Sequence, residues 1–400
     1  MHIVFAASEC VPFSKTGGLA DVVGALPRAL VTAGHQVSVY LPRYRETLLK
    51  DARTVVKSVT VPFDDQYRFC SIVSGGERSG VNFYFVEYPP FFDRDALYGT
   101  SAGDYPDNAE RFALFSRAVL EGSKILGVPQ IFHCHDWQSA LVPILLRTQY
   151  AEDPAFRDVS TVFTIHNMGY QGIFSSDTLP LLTLPWDLFT ISRMEFFGNV
   201  NFLKGALIFS DFITTVSKKY SQEIQTTEFG FGLEGVLRTR SSTVTGILNG
   251  VDYDEWSPET DKFITARYSP LDLSGKAQCK EDLLKTFGIV DADLRLDARA
   301  RIEHADLEFR ALCVGEAQRH GGADGGGAGQ EGAAPDLDGF RGFACHERFL
   351  LLSPWGARRS CLLPALPAGR DRCDIVIEHY EIRQFAPALR LGQRARDPRQ

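Results

Sequence analysis

Residues 2–42 constrain the fold more than any other part of this chain. HIVFAA, at 2–7, is a short unbroken run of apolar residues and reads as a buried strand. From Leu19 the period changes: Leu19, Val22, Val23, Leu26 and Leu30 recur at helical spacing and share one face. Gly34 reads as the helix stop and QVSVYLP as the next strand. Strand, loop, helix and strand in this order form the right-handed unit from which parallel sheets are built.

The unit recurs. VNFYFVEY reads as a strand and PDNAERFALFSRAVLEGSKILG as a helix, with Asp107 as N-cap and Glu110 completing a capping box. VPQIFHCHD is a strand leading into a helix, WQSALVPILLRTQY; STVFTIHN, FITTVS and TVTGILNG are further strands, and KKYSQEI opens another helix. Alternation of this kind predicts an open, doubly wound α/β sheet, whose ligands sit at the carboxyl ends of the strands. Polar, reactive residues fall at those ends: SKTGG after the first strand, His135 and Asp136, His166 and Asn167, and LNGVD at 248–252. Their convergence on one rim is what an enzyme cleft needs.

The chain's 400 residues suffice for two domains with separate cores, and a net charge of -8 argues against a face built for nucleic acid. No basic leader precedes an apolar run and no apolar stretch reaches membrane-spanning length, so a cytoplasmic protein without a membrane partner is expected. The eight cysteines are scattered and read as free thiols.

The composition breaks near residue 290. Asn249 is the last asparagine, Lys285 the last lysine and Thr286 the last threonine; GGADGGGAGQEGAAP follows in an Arg-, Ala- and Gly-rich tail. A flexible linker before an arginine-rich domain is one reading. Joint loss of residues with AT-rich codons favours another, translation of GC-rich DNA in a shifted frame from about residue 294. The expected organisation is 1–245 as a Rossmann-like domain, 246–290 as a passage into a second, and 291–400 as an aberrant segment.

The motifs taken singly leave alternatives open. SKTGG is neither GxGxxG nor a Walker loop, because its glycines are adjacent and its lysine precedes them. Gly17 and Gly18 let a ligand approach the backbone, a helix N-terminus follows, and Lys15 adds charge, which suits a phosphate or a diphosphate. A tight turn with a surface lysine is the plainer reading. In HCHD, His133 and His135 share a strand face, but no third and fourth ligand stand at a metal spacing. Either the histidines are structural, or Asp136 accepts hydrogen bonds from sugar hydroxyls beside a stacking surface on Trp137. His166 closes a strand ahead of a glycine turn, a position that favours ligand contact. GFGLEGVLRTR is either a mobile loop or a turn before a helix, and neither a serine elbow nor paired glycosidase carboxylates are evident.

Together, SECVPFSKTGGLADVVGALPRAL, YPDNAERFALFSRA, HCHDWQSAL, FTIHNMGYQGIF, NFLKGALIFSDFITTVS, GFGLEGVLR and ILNGVDYDEWSPETD resemble the glycogen/starch synthase family, in its order, from residue 1 to about 288. The resemblance implies a GT-B architecture of two Rossmann-like domains. It implies transfer of glucose from ADP-glucose to the non-reducing end of an α-1,4-glucan, with retention and with neither metal nor cofactor. In that picture Lys15 contacts the donor phosphates, Gly17 and Gly18 lie against the leaving diphosphate, and His166 holds the transferred sugar. Asp21, Asp136, Tyr98 and Asn249 match positions around the donor and acceptor sugars. The family's SRxxxQKG-like run is missing, and DIVIEHYE leads into IRQFAPALRLGQ, so Glu381 receives no role and the second domain is expected to be incomplete or disrupted. An inactive remnant that keeps glucan affinity is the competing expectation.

Overall fold

In a computed structural model that describes residues 1–50, 52–63 and 66–288, the strand β1 (His2–Ala6) is the pivot of the main sheet. The helix α1 (Gly18–Thr32) follows it and returns the chain to β2 (Gln36–Pro42), which lies parallel to β1 with Ile3 opposite Val37. Next come β3 (Arg53–Phe63), β4 (Gln66–Arg78) and β5 (Val81–Glu87). After α2 (Asn108–Leu126) the chain crosses to the other side of β1 and adds β6 (Ile131–His135), β7 (Ser160–Ile165), β8 (Phe212–Thr215) and β9 (Val244–Gly246). The order across the sheet is therefore β9-β8-β7-β6-β1-β2-β5-β4-β3, parallel except where β4 pairs with β5 and β3. The side on which successive strands are added reverses between β1 and β6, and that switch point opens a crevice at their carboxyl ends.

Both faces of the sheet are covered, so its central strands are apolar on both sides. Ile3 and Phe5 of β1 face α1, where they pack with Leu19, Val23 and Leu30. Val4 and Ala6 point the other way, into a core shared with Phe112, Phe115 and Ala118 of α2. The predicted α1 stripe is largely the buried one, with Val22 and Leu26 only partly covered. Gly34 adopts φ +87, the left-handed stop that glycine accepts without strain. Gly24 serves contact: a Cβ there would stand 2.3 Å from Val11 Cγ2, so α1 can press against the loop that precedes it.

The hairpin of β3 and β4 has no clean alternation in the sequence: register shifts near Thr54–Val59 interrupt it, and Val56, Val59, Val61 and Phe63 still reach the core. Two expectations change. Asp107 does precede α2 but makes no side-chain cap; Arg94 takes its carboxylate, Nη1 to Oδ1 at 2.7 Å, while Glu110 pairs with Arg68 at 2.9 Å. The helix expected over 137–150 shrinks to a 3-10 turn, Trp137–Ser139, and the short α3 (Leu141–Leu146). Past β8, Ser217 caps α4 (Lys218–Glu223), and GFGLEGVLRTR runs through a bend at Phe231 (φ +50) into α5 (Glu234–Thr239). The cysteines at 10, 70, 134 and 279 are free.

The described residues divide into two units, Met1–Gly250 and a second starting at Val251. The sheet runs one residue past the expected boundary at 245. In the second unit, α6 (Ser274–Thr286) buries only Gly275, where a Cβ would meet the Arg267 carbonyl oxygen at 2.1 Å. The aberrant segment 291–400 and the expected disruption of a second Rossmann-like domain lie outside the described residues. Among the described residues no helix is long and apolar enough to cross a membrane.

Candidate functional site

The loop after β1 is shaped by a residue that sequence reasoning passed over. Glu9, 3 % exposed, accepts hydrogen bonds from the Thr16 hydroxyl at 2.6 Å, the Gly17 amide at 3.2 Å, the Tyr98 hydroxyl at 2.6 Å and the Thr16 amide. The Tyr98 hydroxyl also stands 2.7 Å from Ser8 Oγ, and burial pushes its pKa well above the ordinary range, with the neighbouring Tyr44 and Glu9 adding to the rise. Tyr98 thus acts here through Glu9, as a strut beneath the loop.

Above that strut, Lys15 Nζ lies 2.8 Å from both carboxylate oxygens of Asp21, in the first turn of α1. The pair sets a cation beside a helix N-terminus whose first amides have no intrahelical acceptor. Gly17 is in ordinary extended conformation (φ -152, ψ -167), and a Cβ on Gly17 or Gly18 would meet nothing within 4 Å. Neither backbone strain nor internal packing therefore demands glycine at these positions. What glycine leaves open here is the outer side of the loop, where a ligand can approach the backbone.

Across the crevice, β6 and β7 deliver Asp136 and His166. Asp136 adopts φ +54, costly for any residue with a Cβ and characteristic of sites where geometry outranks local comfort. Its own amide bonds the Thr164 carbonyl at 3.0 Å, and its Oδ1 accepts the His166 amide at 2.8 Å. Burial raises the Asp136 carboxyl to about 7; the amides of His166 and Asn167 oppose the rise and the charge of Glu9 adds to it. The turn at Asp136 also directs Trp137 inward. Its indole is only 8 % exposed and packs edge-on against Phe112 (centroids 5.0 Å) and Phe174 (5.6 Å). The expected open stacking surface on Trp137 is thus a packed wall, overlain by Gly172.

The histidines bond one another and their neighbours. His135 Nδ1 lies 2.9 Å from His166 Nε2, and His133 Nε2 lies 2.7 Å from Thr164 Oγ1, itself 2.6 Å from Thr214 Oγ1. The rings of His133 and His135 stack at 4.3 Å, with Phe5 against both. Burial lowers His133 to about 3, aided by His166, and His166 itself to about 4; it takes His135 well below its ordinary value, with the other two histidines contributing. All three are neutral imidazoles near neutral pH. No group of three His, Cys, Asp or Glu side chains among the described residues is placed to hold a metal ion. Asn249, exposed beyond β9, lines a small cleft with His133, His135, Thr164 and Thr214.

The crevice therefore joins two groups of side chains. One, comprising Glu9, Lys15, Asp21 and the α1 N-terminus, suits an anion. The other, comprising Asp136 and His166, offers hydrogen-bond donors and acceptors suited to hydroxyl groups, and Asn249 lines the small cleft beside His135. Glu9 and Tyr98 carried no local signal, because their partners lie at residues 16, 17 and 8.

Comparison with known proteins identifies the family. Residues 2–239 match the family model described as starch synthase catalytic domain. The chain is 72% identical over 294 residues to a glycogen synthase of Koribacter versatilis (strain Ellin345), covering 74% of this chain and 61% of that protein. It is 45% identical over 300 residues to a glycogen synthase of Syntrophotalea carbinolica, covering 74% and 62%. The catalytic domain of starch synthase IV from Arabidopsis thaliana, solved bound to ADP and acarbose, superposes with a TM-score of 0.64 at 38% identity, over 74% of this chain and 60% of that one. The chain spans about three fifths of the length of these two curated relatives.

Proposed function

The chain belongs to the family of starch and glycogen synthase catalytic domains, and on that footing we propose that it takes part in retaining transfer of glucose from ADP-glucose to the non-reducing end of an α-1,4-glucan, glycogen. The observation that carries the reading is the Glu9-centred loop, which sets Lys15 and the start of α1 on the same rim as Asp136 and His166. The leaving ADP gains negative charge as the sugar–oxygen bond breaks. Lys15 and the first amides of α1 oppose that charge most strongly in the transition state, which is where binding becomes catalysis. Gly17 and Gly18 allow the diphosphate to lie against the backbone.

Asp136 and His166 hold the transferred glucose through its hydroxyls, Asn249 completes the sugar environment, and Asp21 orients Lys15. Tyr98 acts through Glu9, and Trp137 backs the pocket. The cationic loop supplies the field at the diphosphate, and no cofactor beyond the sugar nucleotide is invoked. We place the protein in the cytoplasm, with ADP-glucose and glycogen as partners and with neither nucleic acid nor membrane.

The test is incorporation of labelled glucose from ADP-glucose into glycogen by the full chain, beside Lys15→Ala. Incorporation that falls at least tenfold in the variant supports the proposal; incorporation indifferent to Lys15 sinks it. A second reading, an inactive remnant that binds glucan, is favoured by the change of composition after Thr286, beyond which neither lysine nor asparagine occurs. Retained glycogen binding with no turnover would establish that one.

A further inference from the structure

The hydrogen bond between His135 Nδ1 and His166 Nε2, 2.9 Å long, joins two neutral rings, so one nitrogen must donate and the other accept. The surroundings distinguish the two arrangements. His135 is 0 % exposed, and its buried Nε2 has no hydrogen-bond partner among the described residues. If His166 Nε2 were the donor, the proton of His135 would sit on that Nε2 as a buried N–H with nothing to receive it. If His135 Nδ1 is the donor, its Nε2 carries only an unused lone pair. Buried amine-type donors without acceptors are the rarer and costlier defect. The packing of His135 against His133 and Phe5, which also touch each other, holds its plane and prevents rotation to a third arrangement.

We infer that His135 is a positioning residue that confines the proton of His166 to Nδ1, so that His166 presents an N–H donor, and not a lone pair, to an oxygen of the bound sugar. His166 is half-buried, and its Nδ1 has no partner among the described residues, which leaves that nitrogen to serve the ligand. The ligand atom is therefore an acceptor, a hydroxyl or ring oxygen of a hexosyl group. This last step rests on the glucosyl-transfer reading; the proton assignment does not. A donor fixed before binding avoids the cost of selecting one tautomer each time sugar enters.

Long-range proton–nitrogen correlation spectra of the full chain, labelled with nitrogen-15 at histidine, read the assignment without substrate. His166 signals are identified by their loss in His166→Gln. The expected spectrum has a protonated, pyrrole-type Nδ1 and a bare, pyridine-type Nε2 on His166; the reverse assignment overturns the inference in the wild-type protein, before any His135 variant is made. In His135→Leu the His166 signals should move toward a mixture of tautomers, whereas His135→Asn, which keeps an N–H donor near the Nδ1 position, should restore the single form. An unchanged spectrum in His135→Leu overturns the positioning role. Because turnover is not the readout, a chain that fails to use ADP-glucose refutes the proposed reaction and leaves the proton assignment to stand or fall by its own spectrum.

Discussion

Replacing Glu9 tests whether one buried carboxylate shapes the loop on which the site depends. Of its four hydrogen bonds, those from the Tyr98 and Thr16 hydroxyls are recoverable: Tyr98 already faces Ser8 Oγ at 2.7 Å, and Thr16 is exposed to water. The amides of Thr16 and Gly17 have no second acceptor at hand. In Glu9→Ala, two bonds to a charged group at ~1.5 kcal/mol each, plus a buried methylene at ~0.8 kcal/mol, total about 4 kcal/mol. For a unit of this size that lowers Tm by roughly 10 °C. Glu9→Gln can turn its amide so that the oxygen still receives both backbone N–H groups and its NH2 faces the hydroxyls. It loses only the charge assistance, about 1.5 kcal/mol, or roughly 4 °C. Scanning calorimetry of the full chain gives the stability series, and titration with ADP gives its functional counterpart, with at least tenfold weaker binding expected for Glu9→Ala once Lys15 and the glycines lose their frame. A Glu9→Ala protein melting within about 2 °C of wild type, or a Glu9→Gln protein no better than Glu9→Ala, would refute the reasoning.

The Lys15–Asp21 pair is about a third exposed and contributes less than ~1 kcal/mol, so Lys15→Ala and Asp21→Ala should each melt within about 2 °C of wild type while Lys15→Ala weakens ADP binding at least tenfold by calorimetry. Gly24→Ala drives a methyl against Val11 Cγ2 and should cost about 1–3 kcal/mol in urea unfolding, with the midpoint moving and the slope unchanged. Acid should unfold the protein steeply: between roughly pH 5 and 6 the unfolded chain binds protons at His133, His135 and His166 that the folded one refuses, while the folded chain alone protonates Asp136. The difference of about two protons makes stability rise with pH by about 2.7 kcal/mol per unit, measurable as a series of urea midpoints. Asp136 contributes with the opposite sign, because its raised pKa gives stability that is present below pH 3.8 and lost as pH rises through about 7. Asp136→Asn should therefore be more stable than wild type at pH 8, by at most about 4 kcal/mol.

The parts of the fold legible in the sequence were those whose signal is local. β1, α1 and β2 show unmixed periods, and the ends of β6 and β7 place Asp136 and His166 without reference to anything distant. Legibility failed where partners lie far apart. Asp107 has the residue type of a cap, but Arg94 competes for its carboxylate with two guanidinium N–H groups and prevails. Trp137 follows a catalytic-looking aspartate, yet its exposure is decided by Phe112, Phe174 and the turn at Asp136. Glu9 looks like any acid in SECVPF until the chain has folded around it.

The position of β1 between β2 and β6 bears on how the chain is made. One neighbour of Ile3, Val37, is synthesised soon after it, but the other, Ile131, emerges about a hundred residues later. At ~5–20 residues per second that is a delay of roughly 5–20 s, during which the nascent chain carries an apolar strand with one edge open to any strand it meets. Until β6 closes that edge the crevice lacks one of its walls, so the interval in which the edge is a liability for aggregation is also the interval before the site can be assembled.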